Sequence, residues 1–265
     1  GSLRVYLDCL VKWIEQQLSS STTFSTRFSW RLPRGMYPYA VRRCLSSSST
    51  ECIERELPMK ILDDLAVCRM RAKLRAEAVL QTGLTPAEAH GKSMWAKLQH
   101  RLINLVKVSV RDADGDVLTS YLEKDVALTA TLSYGAKPWN IVFRGRIDFA
   151  TLVNLEDSIF VVLVEVTEYK DAPVVVKSRL QAYASALYGE LGFPVVPVLI
   201  IVREREIIED MWGLISRSLV PGVELRRPVY RLIRTLSGEE VVKAPSSDLC
   251  VVCDPSIRRL CPYQH

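Results

Sequence analysis

Polar side chains are concentrated where the apolar segment 160–164 ends. The seven residues VEVTEYK at 164–170 contain two glutamates, a threonine and a lysine. Asp148, in the segment GRID, and His100, on a preceding predicted helix, could join one of these glutamates. Carboxylates and an imidazole are suitable ligands for Mg²⁺ or Mn²⁺, and such a cation can generate hydroxide and stabilise charge on a phosphoryl oxygen. These residues therefore favour metal-dependent hydrolysis at a phosphoryl centre.

The pairing of two predicted strands favours Glu165 over Glu168 as the partner of Asp148. The segment NLED at 154–157 is the predicted turn between these strands. In an antiparallel hairpin, a turn centred between positions 156 and 157 pairs Asp148 with Glu165, whereas a turn centred between 155 and 156 pairs it with Leu163. Pairing with Glu168 would need a turn centred beside the apolar residues IFVV, so Glu165 is the nearer partner.

The alternation of side chains along the strand favours Glu168 instead. Glu165 shares one face with Thr167, and Glu168 shares the opposite face with Lys170. The spacing of carboxylate, spacer and lysine therefore occurs only in EYK at 168–170. On the pairing argument we choose Glu165 as the metal ligand. Lys170, with Lys177 as the less favoured alternative, would stabilise charge or orient the water.

The C-terminal cysteines have a spacing typical of metal-bound thiolates. Cys250, Cys253 and Cys261 follow the pattern Cys-x2-Cys-x7-Cys, which suits tetrahedral zinc or an iron–sulfur cluster. A fourth ligand must come from elsewhere, and Cys44 and Cys52 are the candidates. The remaining cysteines lie in apolar helical segments and are interpreted as core thiols: Cys9 and Cys68.

The periodicity of apolar residues predicts the elements that would position these side chains. Helical spacing occurs over 3–18 and 53–82, and again from Thr85 to about Lys107. The period then changes to two, which predicts strands in VKVSV, DVLTSYL, DVALTATL, NIVFRGRIDFATLV and SIFVVLVEV. A helix ending at Gly192 and a buried, central or parallel strand PVVPVLIIVRE follow. We expect an α/β fold, with a mixed central sheet flanked by helices and an N-terminal helical layer.

Three of these segments together resemble the core of the PD-(D/E)xK nucleases, in particular the RecB-like branch. The segments are FRGRIDFA, VVLVEVTEYK and KSRLQAYASALY, with LQHRLINLV and EKDVALTATL upstream, and the resemblance covers roughly 95–203. It implies that His100, Asp148 and Glu165 bind the metal. The lysine position of the family is occupied by Thr167, so Lys170 would supply the ammonium group from a neighbouring position and complete the catalytic group with the two carboxylates. Where that branch has Gln-x-x-x-Tyr, this chain has Arg-x-x-x-Tyr, with a glutamine two residues late. Residues implied to support the site or to contact DNA are Glu168, Arg179, Gln181 and Tyr183.

The cysteines extend the resemblance to iron–sulfur nucleases, among them the CRISPR-associated RecB-like exonucleases (the fourth Cas protein family). AVRRC resembles the N-terminal ligand segment of that family. The resemblance therefore implies a 4Fe–4S cluster held by Cys44 together with Cys250, Cys253 and Cys261. It also implies three regions within one compact unit. These are an N-terminal helical region with one cluster cysteine at 3–94, a nuclease core at 95–205, and a C-terminal segment with three cluster cysteines at 206–265.

The function implied by the resemblance is Mn²⁺- or Mg²⁺-dependent hydrolysis of DNA, with single-stranded ends as substrate and spacer acquisition in CRISPR antiviral defence as the role. Its partners would be DNA and other CRISPR adaptation proteins. Three alternatives stay open. They are a weakly active or inactive DNA-binding protein or adaptation-complex subunit, a related DNA-repair iron–sulfur nuclease, and a zinc-stapled nucleic-acid module.

Charge and hydropathy are compatible with these expectations. The 265 residues carry a net charge of +5 with a pI near 8.8, which suits a polyanionic partner. No apolar run approaches the roughly 18 residues that cross a bilayer, and no signal peptide is evident, so we expect a cytoplasmic protein with no membrane partner. The N-terminal arginines are expected to contact phosphates: Arg27, Arg31, Arg34, Arg42 and Arg43.

Overall fold

The computed structural model of the protein describes most of the chain beyond residue 51. The described residues are 52–82, 115–155, 158–167, 175–203, 206–208, 225–241 and 253–263, with the single residues 104, 107, 111 and 250. In these ranges, no helix is both long and apolar enough to span a membrane. The described residues form a mixed α/β structure in which helices pack against a central sheet.

The central sheet has six strands. They are β1 (Ile53–Pro58), β2 (Asp116–Tyr134), β3 (Lys137–Leu155), β4 (Ser158–Thr167), β5 (Val195–Arg203) and β6 (Glu206–Ile208). The order is β1-β3-β4-β5-β6, and β2 pairs with β3 outside this path. β1 runs parallel to β3 and β5 runs parallel to β4, while the other pairs are antiparallel. The nearly continuous apolar sequence of β4 is typical of a strand that is buried on both faces.

One edge of β3 is shared by two strands. β2 pairs along almost the whole of β3, so β1 and β4 must both lie on the opposite edge. β1 pairs with 139–144 and β4 pairs with 149–155, which leaves residues 145–148 between them. The chain leaves β1 at this point, where the Met59 amide donates to the Arg144 carbonyl at 2.7 Å. The sheet therefore has a gap into which side chains from the neighbouring helices can enter.

Five helices complete the described fold. They are α1 (Ile61–Val67), α2 (Arg69–Thr82), α3 (Lys177–Leu191), α4 (Arg226–Leu236) and α5 (Pro255–Arg258). The main core joins α1, α3 and α4 to the sheet through residues such as Leu62, Leu180 and Leu232. A second, smaller core joins α2 to the C-terminal segment through Met70, Leu74, Val241 and Ile257.

The structure confirms several of the predicted elements, and the strands predicted in NIVFRGRIDFATLV and SIFVVLVEV are β3 and β4. α3 ends at Gly192, which has a φ of 76°. Only glycine adopts this left-handed conformation without strain, so the helix stops there. β5 runs parallel to β4, as its apolar sequence predicts.

Other predicted elements are wrong. The single helix predicted over 53–82 is a strand followed by two helices, which are separated at Cys68 by an extended backbone. Exposure alternates along β1, and the strand lies at the end of the strand order, where Pro58 is tolerated. Most of the strand predicted in VKVSV lies outside the described residues, and Lys107, its one described residue, is helical rather than extended. The two strands predicted within 116–132 are one strand, β2, which continues through Glu123 despite its φ of 46°.

Candidate functional site

The hairpin of β3 and β4 brings Asp148 and Glu165 together. Phe149 pairs with Val164 and Ala150 with Leu163, so the turn is centred between positions 156 and 157. This is the register that the pairing argument predicted for Asp148 and Glu165. The Asp148 amide donates to Oε1 of Glu165 at 3.1 Å. Glu165 is buried near the end of β4, and Asp148 lies in the gap of the sheet between β1 and β4. The predicted register is confirmed, and the role of these carboxylates in metal binding stays a prediction.

Glu165 is a buried carboxyl group beside a second carboxylate. It is only 4% exposed. Burial raises its pKa well above the usual range, Asp148 raises it further, and the nearby Arg179 guanidinium opposes the shift. Two like charges in one site disfavour each other unless a cation compensates them. A divalent cation held between the two carboxylates would relieve this repulsion, so the donor set fits such an ion.

Arg179, near the start of α3, joins Glu165 to a third acidic residue. Its Nη1 lies 3.5 Å from Oε2 of Glu165, and its Nε donates to Oδ2 of Asp63 at 2.8 Å. Asp63 is buried on α1, and its Oδ1 has no hydrogen-bond partner. Burial by itself lowers the pKa of Arg179, but Asp63, Tyr183 and Glu165 together raise it, so the guanidinium stays charged. The sequence analysis did not include Asp63, although its signal is visible as two aspartates within the apolar stretch ILDDLAV.

Tyr183 covers the other side of Arg179. These residues are one helical turn apart on α3, and the guanidinium carbon lies 5.7 Å from the centre of the Tyr183 ring. Burial, supported by Glu165, raises the pKa of Tyr183, so the phenol is neutral. Gln181 is also buried, but both of its amide atoms are without a hydrogen-bond partner. Arg179 and Tyr183 thus join the carboxylate site, and no described hydrogen bond joins Gln181 to it.

Gly145 provides the space that the Tyr183 ring occupies. A methyl group at position 145 would lie 2.6 Å from Cε1 of Tyr183, so we expect Gly145→Ala to lower the free energy of unfolding by roughly 1–3 kcal/mol. Urea denaturation measures this change. Gly189→Ala on α3 is the control, because nothing lies within 4 Å of the added carbon and alanine in a helix is favoured by about 1 kcal/mol. An unchanged stability of the Gly145 variant would contradict the close packing.

The pKa of Asp63 predicts a pH dependence of stability. Burial raises this pKa from 3.8 to about 6, against the opposing effect of Arg179, while Asp64 adds to the rise and Lys60 opposes it. The native state therefore binds the proton more tightly than the unfolded chain does. For this group, the free energy of unfolding falls as the pH rises from about 4 to about 6 and then levels off.

Asp63→Asn is expected to remove this dependence. The stability of the variant relative to the wild type should rise by roughly 1–3 kcal/mol over that pH interval. Urea denaturation of both proteins at several pH values measures the difference. Comparing the two proteins cancels every other titrating group, as well as any constant cost of the substitution. A difference that stays constant with pH would contradict the expectation.

Several predicted site residues lie outside the described part of the chain. They are Cys44, His100, Glu168 and Lys170. Thr167 ends β4 and Lys177 begins α3. Among the described residues, no group of three or more histidine, cysteine, aspartate or glutamate side chains is arranged as a metal site. The described carboxylate pair would therefore need a further ligand from elsewhere.

The C-terminal cysteines lie beside a cysteine that the sequence analysis assigned to the core. Cys253 and Cys261 pack against the small core of α2 and the C-terminal segment, and so does Cys68. All three are half-buried free thiols, as is Cys250, whose carbonyl accepts a hydrogen bond from the Cys253 amide at 3.3 Å. Cys68 packs against a small hydrophobic core, as its interpretation as a core thiol predicts, and it shares that core with the C-terminal cysteines of this cysteine-rich corner.

The electrostatic surroundings of Cys253 also link it to Cys68. Burial raises the pKa of Cys253, nearby Arg71 lowers it, and Cys68 raises it. Cys52, the alternative fourth ligand, is disulfide-bonded in this structure and is therefore not a free thiolate. The described thiols consequently favour Cys68 over Cys52 as the companion of the C-terminal three.

Comparison with known proteins adds little to this description. No protein-family model matches the chain, and no curated protein matches it. Among solved structures, the chain is similar to the crystal structure of a "Putative exonuclease" from Eubacterium rectale, with 10% sequence identity and a TM-score of 0.33. The likeness covers 74% of this chain and 92% of that one. At this identity and TM-score the likeness carries no functional argument.

Proposed function

We propose that the protein is a metal-dependent nuclease that hydrolyses DNA phosphodiesters. The observation that carries the proposal is the pair formed by Asp148 and Glu165 in the gap of the sheet, where the Asp148 amide binds the Glu165 carboxylate at 3.1 Å. Burial and a neighbouring carboxylate both disfavour the ionised form of a carboxyl group. A bound divalent cation stabilises that ionised form because it compensates both negative charges. DNA is a suitable substrate for such a site because its phosphoryl oxygens bind the same kind of cation.

In this proposal each residue of the site has one task, including His100 and Lys170 from outside the described part of the chain. Asp148 and Glu165 hold the Mn²⁺ or Mg²⁺ ion, with His100 as a further ligand. When bound, the ion supplies a hydroxide at neutral pH and stabilises charge on the phosphoryl oxygens. Arg179 orients Glu165 through the 3.5 Å contact and is itself held by Asp63 at 2.8 Å. Lys170 is proposed to stabilise developing charge or to orient the water.

A digestion assay tests the proposal. The wild-type protein is incubated with a labelled single-stranded oligonucleotide in Mn²⁺, in Mg²⁺, and in the presence of a chelator. We expect cleavage that depends on the metal and is lost in Asp148→Ala. Cleavage that persists in Asp148→Ala, or in the chelator, would overturn the assignment of the site. Single-stranded ends as substrate, spacer acquisition as the role and CRISPR adaptation proteins as partners follow from the family resemblance and form part of this proposal.

We further propose that Cys68, Cys250, Cys253 and Cys261 together hold an iron–sulfur cluster, with Cys68 in the place that the sequence analysis gave to Cys44. The half-buried free thiols support this ligand set, because Cys68, Cys253 and Cys261 pack against one small core and the Cys253 amide donates to the Cys250 carbonyl. The four thiols are not arranged around a common metal position in the described structure, so the cluster would have to draw them together when it binds. Zinc is the alternative, because four thiolates also suit that ion. An iron–sulfur protein purified without oxygen is brown and a zinc protein is colourless.

Cys68→Ser is expected to remove most of the bound iron or zinc. The measurement is the metal content per protein chain after anaerobic purification, together with the visible absorption spectrum. Cys44→Ser is the matched control and should keep the metal. The opposite result, in which Cys44→Ser loses the metal and Cys68→Ser keeps it, would return the fourth position to Cys44.

A second candidate function is DNA binding without cleavage, and the Arg179 contact favours it. The guanidinium lies 3.5 Å from Oε2 of Glu165 and compensates part of the charge that a metal ion would otherwise compensate. The same digestion assay separates the candidates. A protein that binds the oligonucleotide but does not cut it in Mn²⁺ or Mg²⁺ would support this second function.

A further inference from the structure

Helix α4 presents two different faces. Its sequence RRPVYRLIRTL buries Val229, Leu232 and Ile233 against the main core. The side chains on the opposite arc are exposed and almost all basic: Arg226, Arg227, Tyr230, Arg231 and Arg234. The apolar stripe accounts for the docking of the helix on the protein, but it does not account for four arginines on the outside.

Only one of these arginines has an acidic partner within the described residues. Arg234 forms two hydrogen bonds with the Glu239 carboxylate, at 2.5 and 2.6 Å, and Arg69 lies 3.5 Å from the same group. The other three arginines of the face, Arg226, Arg227 and Arg231, form no ion pair with the described part of the chain. Among the described residues, the outer face of α4 therefore carries three arginines without an acidic partner within two turns of helix.

An exposed aromatic ring lies among these charges. Tyr230 is 43% exposed, and its ring meets the edge of Tyr134 at 5.8 Å with an angle of 71° between the rings. Tyr134 precedes the turn between β2 and β3, and the exposed Lys137 follows that turn. An anchored, exposed tyrosine beside arginines is the combination that binds single-stranded nucleic acid, since the bases stack on the ring and the arginines contact phosphates.

We propose that the outer face of α4, with Tyr230 at its centre, binds the backbone and bases of single-stranded DNA away from the cleavage site. This inference rests on the proposed function in one respect, namely that the ligand is DNA. Along β3, eleven steps of about 3.3 Å lead from Lys137, which follows the turn beside Tyr230, to Asp148, so the two ends of this path lie at most about 36 Å apart. That length corresponds to roughly ten nucleotides at the duplex spacing of about 3.4 Å per strand.

The test measures binding of labelled oligothymidylates of 5 and 20 nucleotides in a chelator, at several salt concentrations. Replacing Arg226, Arg227 and Arg231 together by alanine is expected to lower the slope of log affinity against log salt by about 2 for the 20-mer, since each phosphate contact contributes roughly 0.7. Affinity at 0.1 M salt should fall by roughly 10- to 100-fold. Tyr230→Ala should weaken binding by about tenfold with an unchanged slope.

A matched pair on the same helix provides the control. Arg231→Ala should lower the salt slope, whereas Arg234→Ala should leave it unchanged because Glu239 already compensates that charge. Replacing the three arginines by lysine should keep most of the slope. Thermal unfolding of each variant confirms that the helix still docks.

The outcomes of this test and of the digestion assay can be separated. A 20-mer that binds the triple variant with the wild-type slope would overturn the proposal about α4, and cleavage by the wild type in Mn²⁺ would still stand. If the wild type cleaves nothing but the slope changes as expected, the α4 surface stands and the nuclease assignment fails. The triple substitution should reduce cleavage of the 5-mer less than cleavage of the 20-mer, because the shorter strand extends less far from Asp148.

Two other ligands test whether the face is specific for DNA. If the triple variant lost binding to phosphatidylserine vesicles or to an acidic peptide while its binding to DNA was unchanged, the proposal would also be overturned.

Discussion

Glu165→Gln is expected to lower metal-dependent cleavage of single-stranded DNA by roughly 100-fold or more without unfolding the protein. The carboxylate is lost as a metal ligand, and even residues behind the ligands of a metal site commonly change affinity or activity by about 10- to 100-fold. Stability should be retained, because the pKa of Glu165 is raised by burial and by Asp148, which means that the site tolerates a neutral group. The glutamine oxygen can still accept the hydrogen bond from the Asp148 amide. Initial cleavage rates at several Mn²⁺ concentrations and urea denaturation measure the two effects.

Glu168→Gln is the matched control for this variant. The same chemical change three residues further along the chain should leave cleavage nearly unchanged if the strand register identifies the ligand. A loss of activity in Glu168→Gln with normal activity in Glu165→Gln would contradict the choice. The carboxylate-spacer-lysine sequence would then identify the metal site better than the pairing of the strands does.

The pairing of Asp148 with Glu165 was predictable because it is local. The two residues are separated by a short turn, and the apolar segments on either side permit only a few registers. The observed register leaves Glu165 buried and places its carboxylate on the Asp148 amide. The identity of the hairpin partner could therefore be read from the sequence, together with the parallel alignment of β5.

The contribution of α1 could not be predicted in the same way. Asp63 and Arg179 are more than a hundred residues apart, and their contact depends on how β1 pairs with β3. Residues 53–58 are interpreted from the sequence as the start of a helix, so the route by which α1 reaches the gap is missed. The neighbourhood of Cys68 could not be predicted for the same reason, because the cysteines that share its core come from the far end of the chain.

Two adjacent aspartates on α1 connect the two candidate sites. Asp63 holds Arg179 at the carboxylate site, at 2.8 Å. Asp64, the next residue, is fully buried and forms ion pairs with Arg75 and with Arg71, whose Nε lies 2.6 Å from Oδ1. The N–H of Arg71 is not directed at that oxygen, so this contact is an ion pair rather than a hydrogen bond. Arg71 is also among the charges that act on Cys253, so α1 is fixed by the cysteine-rich corner on one side and by the carboxylate site on the other.

Asp64→Ala is expected to lower the free energy of unfolding by roughly 3–5 kcal/mol, because it leaves two arginines without their main anionic partner in the interior. Arg75 is 2% exposed and cannot turn its charge toward water. Its only other described acidic contact is with Asp254, at 3.5 Å. For a protein of this size the loss corresponds to a decrease in Tm of about 10 °C. Urea denaturation and thermal unfolding measure the change.

The pair of Arg146 and Asp125 provides the control for this prediction, since both side chains are more than half exposed and their atoms lie 2.9 Å apart. Exposed ion pairs contribute about 0–1 kcal/mol, so Asp125→Ala should change stability very little. If the two variants lose the same small amount, Asp64 does not act as a buried counter-ion and α1 is not fixed from the cysteine side. A large decrease in the free energy of unfolding of Asp64→Ala alone would support the connection that α1 makes between the two candidate sites. The same variant should then also bind less metal at the cysteines, because Arg71 and Arg75 position α2 beside Cys253 and Asp254.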